Sequence, residues 1–271
     1  MQTIWNHAAL GCRGDDVDAL IQGYELCNRY GIDVISFGYT LSFAMEAFAP
    51  RLGLSHHLRL ERLIHPAPDP LRYLGVYSTP SDGVTYLGYE QVVTLVESKR
   101  DDILSEAWDL VQLNPAGDLL IPASPAVEIT DYYAPIDAGH LSRHANHVRL
   151  KISGKRQYKV GIKAAQTFGR LGYYSRTGGD QAYLVVRTYF NNPSAPYAEE
   201  PDFPAGCRGH SIHVYNDGGE FGGFGELEVN LPTIGGETGR SSSTDHLLLW
   251  IYVGAQDRIK RIALHLLGIA I

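Results

Sequence analysis

Between Asp15 and Tyr30 the apolar residues Val17, Leu20, Ile21, Tyr24 and Cys27 recur at steps of three and four, the spacing that lines one face of an α-helix. Asp15 and Asp16 suit the positive N-terminal end of such a helix, and Gly31 suits the left-handed residue past its last turn. Thr40 to Phe48 predicts a second helix closed by Pro50, and Leu58 to Ile64 a third before Pro66, Pro68 and Pro70. Beyond these prolines the period changes. Short runs rich in Val, Tyr, Ile and Leu (VTYLGY, QVVTLVES, VEITDYY, HVRLKIS, YKVGIK, AYLVVRTYF, HSIHVYN, GELEVNL, DHLLLWIYV) are separated by Gly, Asn, Asp and Pro. In Val148-Arg149-Leu150-Lys151-Ile152 apolar and basic residues alternate, so they face opposite sides of a strand. The change of period places a boundary near residues 64–70: a helical segment over 1–65, then an antiparallel β-sandwich over 66–271.

A chain of 271 residues, 44% hydrophobic and 20% charged, is long enough to bury a sizeable core. Its net charge of -7 argues against nucleic acid or an anionic membrane as partner. Cys12, Cys27 and Cys207 are too few and too scattered for a disulfide framework or a closed zinc site, which favours a reducing, cytoplasmic setting. The apolar runs Leu247 to Val253 and Ile262 to Ile271 fall short of the ~18–20 residues of a membrane span, and the N-terminus lacks the basic region of a signal peptide. His140, His144 and His147 have helical metal-ligand spacing, but no well-placed Cys or Asp completes a ligand set, and a loop of exposed imidazoles is the preferred reading. The glycine-rich stretches GGEFGGFGE and IGGETGRSSSTD lack phosphate-loop spacing and read as hairpin loops. No G-x-S-x-G occurs.

The run from Cys27 to Ser36, with Gly38 and Leu41-Ser42-Phe43-Ala44-Met45-Glu46-Ala47, resembles the tungsten-dependent aldehyde ferredoxin oxidoreductases. In that family an Asp-x-x-Gly-Leu-Asp/Cys motif at a helix end holds the pterin, and Asn28, Gly31, Ile32 and Asp33 stand in its places. The resemblance implies Asn28 and Asp33 as cofactor contacts; the residues themselves also read as a helix cap and turn. Three scattered thiols cannot supply the four ligands of an iron–sulfur cluster, so a tungsten- or molybdopterin-dependent enzyme would need its cluster completed by another chain. Taken alone, the chain is expected to hold no cofactor and no metal.

From about Ile121 to Gly254 the chain resembles the galactose-mutarotase-like proteins. The features are Glu128 to Tyr133, Gly154 to Ile162, Tyr215 to Gly219 and Phe224 to Pro232. The resemblance implies a supersandwich, complete or partial, that binds a small-molecule sugar and performs aldose-epimerase-type proton transfer. Its edges would be covered by the N-terminal helices or by a second copy in a homo-oligomer. The family's general base lies in a Leu-Glu-x-Gln/Asn-x-Pro stretch, which Leu227 to Pro232 matches, making Glu228 the base. A His supplies the acid, for which His210 and His213 are nearest in sequence; on a regular strand their spacing of three puts them on opposite faces. Arg208, Asn216 and Asp217 are the expected sugar-binding residues, although Asn216-Asp217-Gly218 is also strong turn chemistry.

Overall fold

The computed structural model describes residues 57–72, 74, 83–98, 103–202 and 204–271, and it is mainly β. The alternating runs pair into two antiparallel sheets. The larger runs, in spatial order, β1 (Leu58–Pro66), β2 (Thr85–Glu97), β13 (Ser242–Ala255), β10 (Gln181–Thr188), β9 (Arg170–Gly178), β4 (Gly117–Pro122), β7 (His147–Ile152) and β6 (Leu141–Arg143). The smaller runs β3 (Trp108–Leu113), β12 (Gly225–Asn230), β11 (His210–Asn216), β8 (Tyr158–Lys163) and β5 (Ile129–Asp131).

The two sheets share one core, because every second residue of each strand points to the other sheet. Leu119, Ile121, Val148, Leu150, Val185, Leu249 and Ile251 of the larger sheet pack with Val111, Val160, Ile162, Ile212, Val214, Leu227 and Val229 of the smaller. The opposite face of the larger sheet is also apolar, through Leu120, Tyr174, Leu184, Val186, Trp250 and Tyr252, and it is covered by the single α-helix among the described residues, α1 (Gln256–Leu267). Ile259, Ile262, Ala263, Leu266 and Leu267 form its buried stripe, and Gly268, at φ 71°, donates its N–H to the Leu264 carbonyl and stops it. The helix lies so close to β9 that a Cβ on Gly172 would stand 2.4 Å from Leu267 Cδ1. That helical spacing lies within the apolar C-terminal run, where the sequence reading assigned no element.

One predicted helix is a strand. Leu58 to Ile64 belongs to β1, paired with β2 from Leu58↔Glu97 to Pro66↔Tyr89, so the sheet begins ahead of the proline cluster. A seven-residue stretch carries too few turns for its period to separate strand from helix, and the pairing partner decides. β1 is an edge strand, where Pro66 loses no ladder bond that the sheet needs. The predicted helices at Asp15 to Tyr30 and Thr40 to Phe48 lie outside the described residues.

Candidate active site

The face of the smaller sheet that points away from the shared core is polar, and alternation explains why. Leu227 and Val229 turn inward, so Glu226, Glu228 and Asn230 turn outward; Val160 and Ile162 turn inward, so Lys159 and Gly161 turn outward. Glu228 stands across from Leu110 on one side and His213 on the other. The connection from β10 to β11 folds over this face: Gly209 N–H donates to the Tyr197 carbonyl, Thr233 N–H to the Pro196 carbonyl, and Ala198 N–H to both Glu106 and Thr233 Oγ1. Glu228, His210 and His213 are thereby fully buried, while Lys159 and Glu199 keep 15% and 34% of their side-chain surface exposed and form the rim.

Glu228 is the pivot. Trp108 Nε1–H donates to its Oε2 at 2.9 Å, the Lys159 ammonium stands 3.3 Å from the same oxygen, and Oε1 is buried without a partner. Burial raises its pKa to about 7; Lys159 works against that rise, and the neighbouring Glu226 and Glu199 reinforce it. Glu228 therefore divides between acid and carboxylate near neutrality, the state in which one group can both take and return a proton. Burial disfavours the Lys159 ammonium, but Glu228 and Glu199 outweigh it and hold the group above its ordinary pKa. Lys159 Nζ lies 3.1 Å from Glu199, 5.8 Å from the Trp108 ring centre and 5.2 Å from that of Tyr132. Burial raises Glu199 too, yet the Lys159 ammonium and the hydrogen bonds from Asn230 and Lys159 bring it below its ordinary value. Glu106, bonded by Thr233, Ala198 and Asn230, is raised by burial and by Glu199.

The two histidines share this face, contrary to what their spacing predicts. The register of β11 against β8 slips between His210 and Ile212, so Ser211 is an extra residue in the ladder and His210 rotates to the side of His213. Tyr132 Oη contacts both, at 3.3 Å from His210 Nδ1 and 2.6 Å from His213 Nε2. One direction of donation links the row as far as His213 Nε2 and leaves His213 Nδ1 without a hydrogen-bond partner. Thr130 donates to His210 Nε2 (2.9 Å), His210 Nδ1–H donates to Tyr132, Tyr132 donates to His213 Nε2, and His213 Nδ1–H faces Glu199 at 3.5 Å. The row is possible because position 161 is Gly: a Cβ there would stand 2.8 Å from Tyr132 and 2.9 Å from His210.

Burial depresses His210 to about 4 and His213 to about 3, so both imidazoles are neutral at neutral pH. Without solvent to stabilise the cation, the rings stand as links in a hydrogen-bond row. Asn216 and Asp217, expected to touch sugar, organise loops instead. Asn216 Oδ1 accepts from Ser153 and Gly154 N–H, and its amide donates to the Arg156 carbonyl at 2.5 Å. Asp217 Oδ2 accepts from the backbone of Gly219, Phe221 and Gly223, which is the turn chemistry of Asn-Asp-Gly. Arg208 is half exposed and paired with Glu200 and, at 3.9 Å, Glu237. Asn28 and Asp33 lie outside the described residues. His144 and His147 stack across the β6–β7 hairpin at 4.2 Å, and His140 bonds Asp137 and Ser153.

Sequence reasoning passed over Lys159, Glu106, Glu199, Tyr132 as a linker, and Asn230. Alternation around Val160 and Val229 places Lys159 and Asn230 on the face of Glu228, a usable signal. Glu106 and Glu199 come from loops and carry none.

Fold and site together define a two-sheet antiparallel β protein with a buried acid–base cluster on the outer face of its smaller sheet. The chain belongs to the family of unknown function DUF6786, whose sequence profile matches residues 78–271. Residues 2–57 match a profile described as aldehyde ferredoxin oxidoreductase, domains 2 & 3, in keeping with the resemblance drawn from Cys27 to Ala47. The match over the β-rich part is to a family without an assigned activity, and it carries no mutarotase assignment. Neither the curated proteins nor the solved structures contain a match. Among the described residues no helix is long and apolar enough to cross a membrane.

Proposed function

We propose that the outer face of the smaller sheet binds a small polyhydroxylated molecule of the carbohydrate class and transfers a proton to and from it through Glu228. The observation that carries this reading is Glu228 itself: buried, poised at about 7, with one oxygen free of protein partners beside an ammonium and an indole. The stretch Leu227 to Pro232 supports the sugar class through its resemblance to the mutarotase base motif. The rings of Trp108 and half-exposed Tyr133 add apolar faces of the kind that stack on pyranose C–H groups. In ring opening, the Glu228 carboxylate takes the anomeric O–H proton as the ring C–O bond breaks. The departing ring oxygen develops its negative charge near the Lys159 ammonium and is protonated from water, and the reverse sequence closes the other anomer.

The experiment is NMR exchange between anomers across free hexoses, with Glu228→Gln as control. Faster interconversion by the wild type and its loss in the variant are the expected results; no catalysis and no stabilisation by any sugar would refute the reading.

The match over residues 2–57 favours a second reading, service in a tungsten- or molybdopterin-dependent aldehyde oxidoreductase. The described residues do not fit such a centre. Cys207 is their one thiol, and no group of three His, Cys, Asp or Glu among them is arranged to hold a metal. Stoichiometric tungsten, molybdenum or iron in anaerobically purified protein would decide for this reading.

A further inference from the structure

Glu106 and Glu199 reach the face of the smaller sheet from separate loops and meet at one amide. Asn230 Nδ2 donates to Glu106 Oε2 at 2.8 Å and to Glu199 Oε2 at 3.0 Å, so two carboxyl groups stand side by side across a neutral donor. The other donors to Glu106, the Thr233 hydroxyl and the Ala198 N–H, are neutral as well. Glu226 is bonded by the neutral amide of Gln112. Among the described residues the cation within ion-pair distance of this group is Lys159, shared by Glu199 and Glu228, while Lys163 acts on the far end, at His210. Four carboxyl groups thus face one shared ammonium.

The buried oxygens point the same way. Glu228 Oε1 and Asn230 Oδ1 lie buried at neighbouring outward positions of β12, Glu228 Oε1 without a hydrogen-bond partner and Asn230 beside the His213 ring. Both are acceptors. The Asn230 amide cannot be turned, because its nitrogen must face the two carboxyl groups. A ligand that completes this face therefore brings donors, and the charge around them favours donors that carry a positive charge. A hydroxyl can satisfy one acceptor but leaves the charge uncompensated; a carboxylate or phosphate brings no donor and is repelled. The face already holds one ammonium in such surroundings, since Lys159 sits between the rings of Trp108 and Tyr132 and two carboxyl groups.

We propose that the ligand of this face is cationic: an amino sugar or comparable amine-bearing polyol, whose ammonium is received by Glu106, Glu199 and the free oxygen of Glu228. The inference rests on the reading of this face as a carbohydrate-class site and adds the charge of what enters it.

The test is calorimetric titration and thermal shift of the full chain with matched sugars: glucose, galactose and mannose against their 2-amino forms, their N-acetylated forms, glucuronate and glucose 6-phosphate. At least one amino sugar should bind about tenfold or more tighter than its neutral parent, the preference should shrink at high salt, and the anionic sugars should not bind. Glu106→Gln, which keeps an acceptor for Ala198 and Thr233, should reduce the ratio of amino-sugar to neutral-sugar affinity. Equal binding of neutral and amino sugars, or tight binding of an anionic one, would overturn the cationic ligand alone and leave the carbohydrate site standing. Absence of binding by every sugar, charged or neutral, would overturn both. The wild-type panel decides even if the Glu106 variant fails to fold.

Discussion

Replacing Glu228 with Gln should change how the stability of this protein depends on pH, in a direction opposite to that of an ordinary paired carboxylate. The folded protein holds the Glu228 carboxyl at about 7, against 4.5 for the same group in solution, because the ionised form has lost its water. Between those two values the folded state keeps a proton that the unfolded chain has released. The contribution of Glu228 to stability is therefore fully present below 4.5 and is lost as the pH climbs through about 7. The span corresponds to about 3 kcal/mol, taking about 1.4 kcal/mol for each tenfold change in proton affinity. Gln keeps the size of the side chain and one acceptor oxygen for Trp108 and does not titrate. The stability of the wild type relative to Glu228→Gln should fall by about 3 kcal/mol between about pH 5 and about pH 8, leaving the variant the more stable protein in mild alkali relative to its standing in acid. Urea denaturation of both proteins across that range, with the difference of the two unfolding free energies plotted against pH, measures it directly. A flat difference curve, or one that rises with pH, would refute the claim that burial controls Glu228.

Three further outcomes follow from the same cluster. The neutral state of His213, depressed from 6.5 to about 3, means that the folded state binds fewer protons than the unfolded chain as acid is added; wild-type stability falls with the pH below 6.5. His213→Asn should flatten that acid limb in thermal melts, and an unaltered limb would show that the imidazole is not held neutral. Trp108→Phe removes the N–H that lowers Glu228, so the midpoint of the Glu228 carboxyl 13C titration should move upward; a fixed midpoint would deny the hydrogen bond. Gly161→Ala places a methyl group against Tyr132 and His210 and should destabilise by about 1–3 kcal/mol in urea while dispersing the histidine row, whereas a neutral effect would mean the rings do not lie over the strand.

Alternation along the chain made the β-sandwich legible, because a strand buried on one face has to repeat every second residue whatever its partners are. The same rule aligned Glu226, Glu228 and Asn230 on one side of Leu227 and Val229, and it put Lys159 opposite Val160. What alternation cannot report is a residue added to one strand and absent from its neighbour. Ser211 is such a residue, and it turns His210 onto the face of His213, a result that depends on the register with β8. Pairing also decided that Leu58 to Ile64 is an edge strand, since so short a stretch fits either period. The local pattern of Asn216-Asp217-Gly218 already named a turn, and the backbone bonds of Asp217 are those of one, while Asn216 reaches across to Ser153 and Gly154. Glu106 and Glu199 stand in loops with no periodicity, and only the approach of the β2–β3 and β10–β11 connections to the smaller sheet brings them to Asn230. Sequence order determined which residues face water or core along each strand, because that is fixed by backbone geometry over two residues. The protonation states of Glu228, His210 and His213 were decided by tertiary structure, because they depend on how much water a distant loop removes.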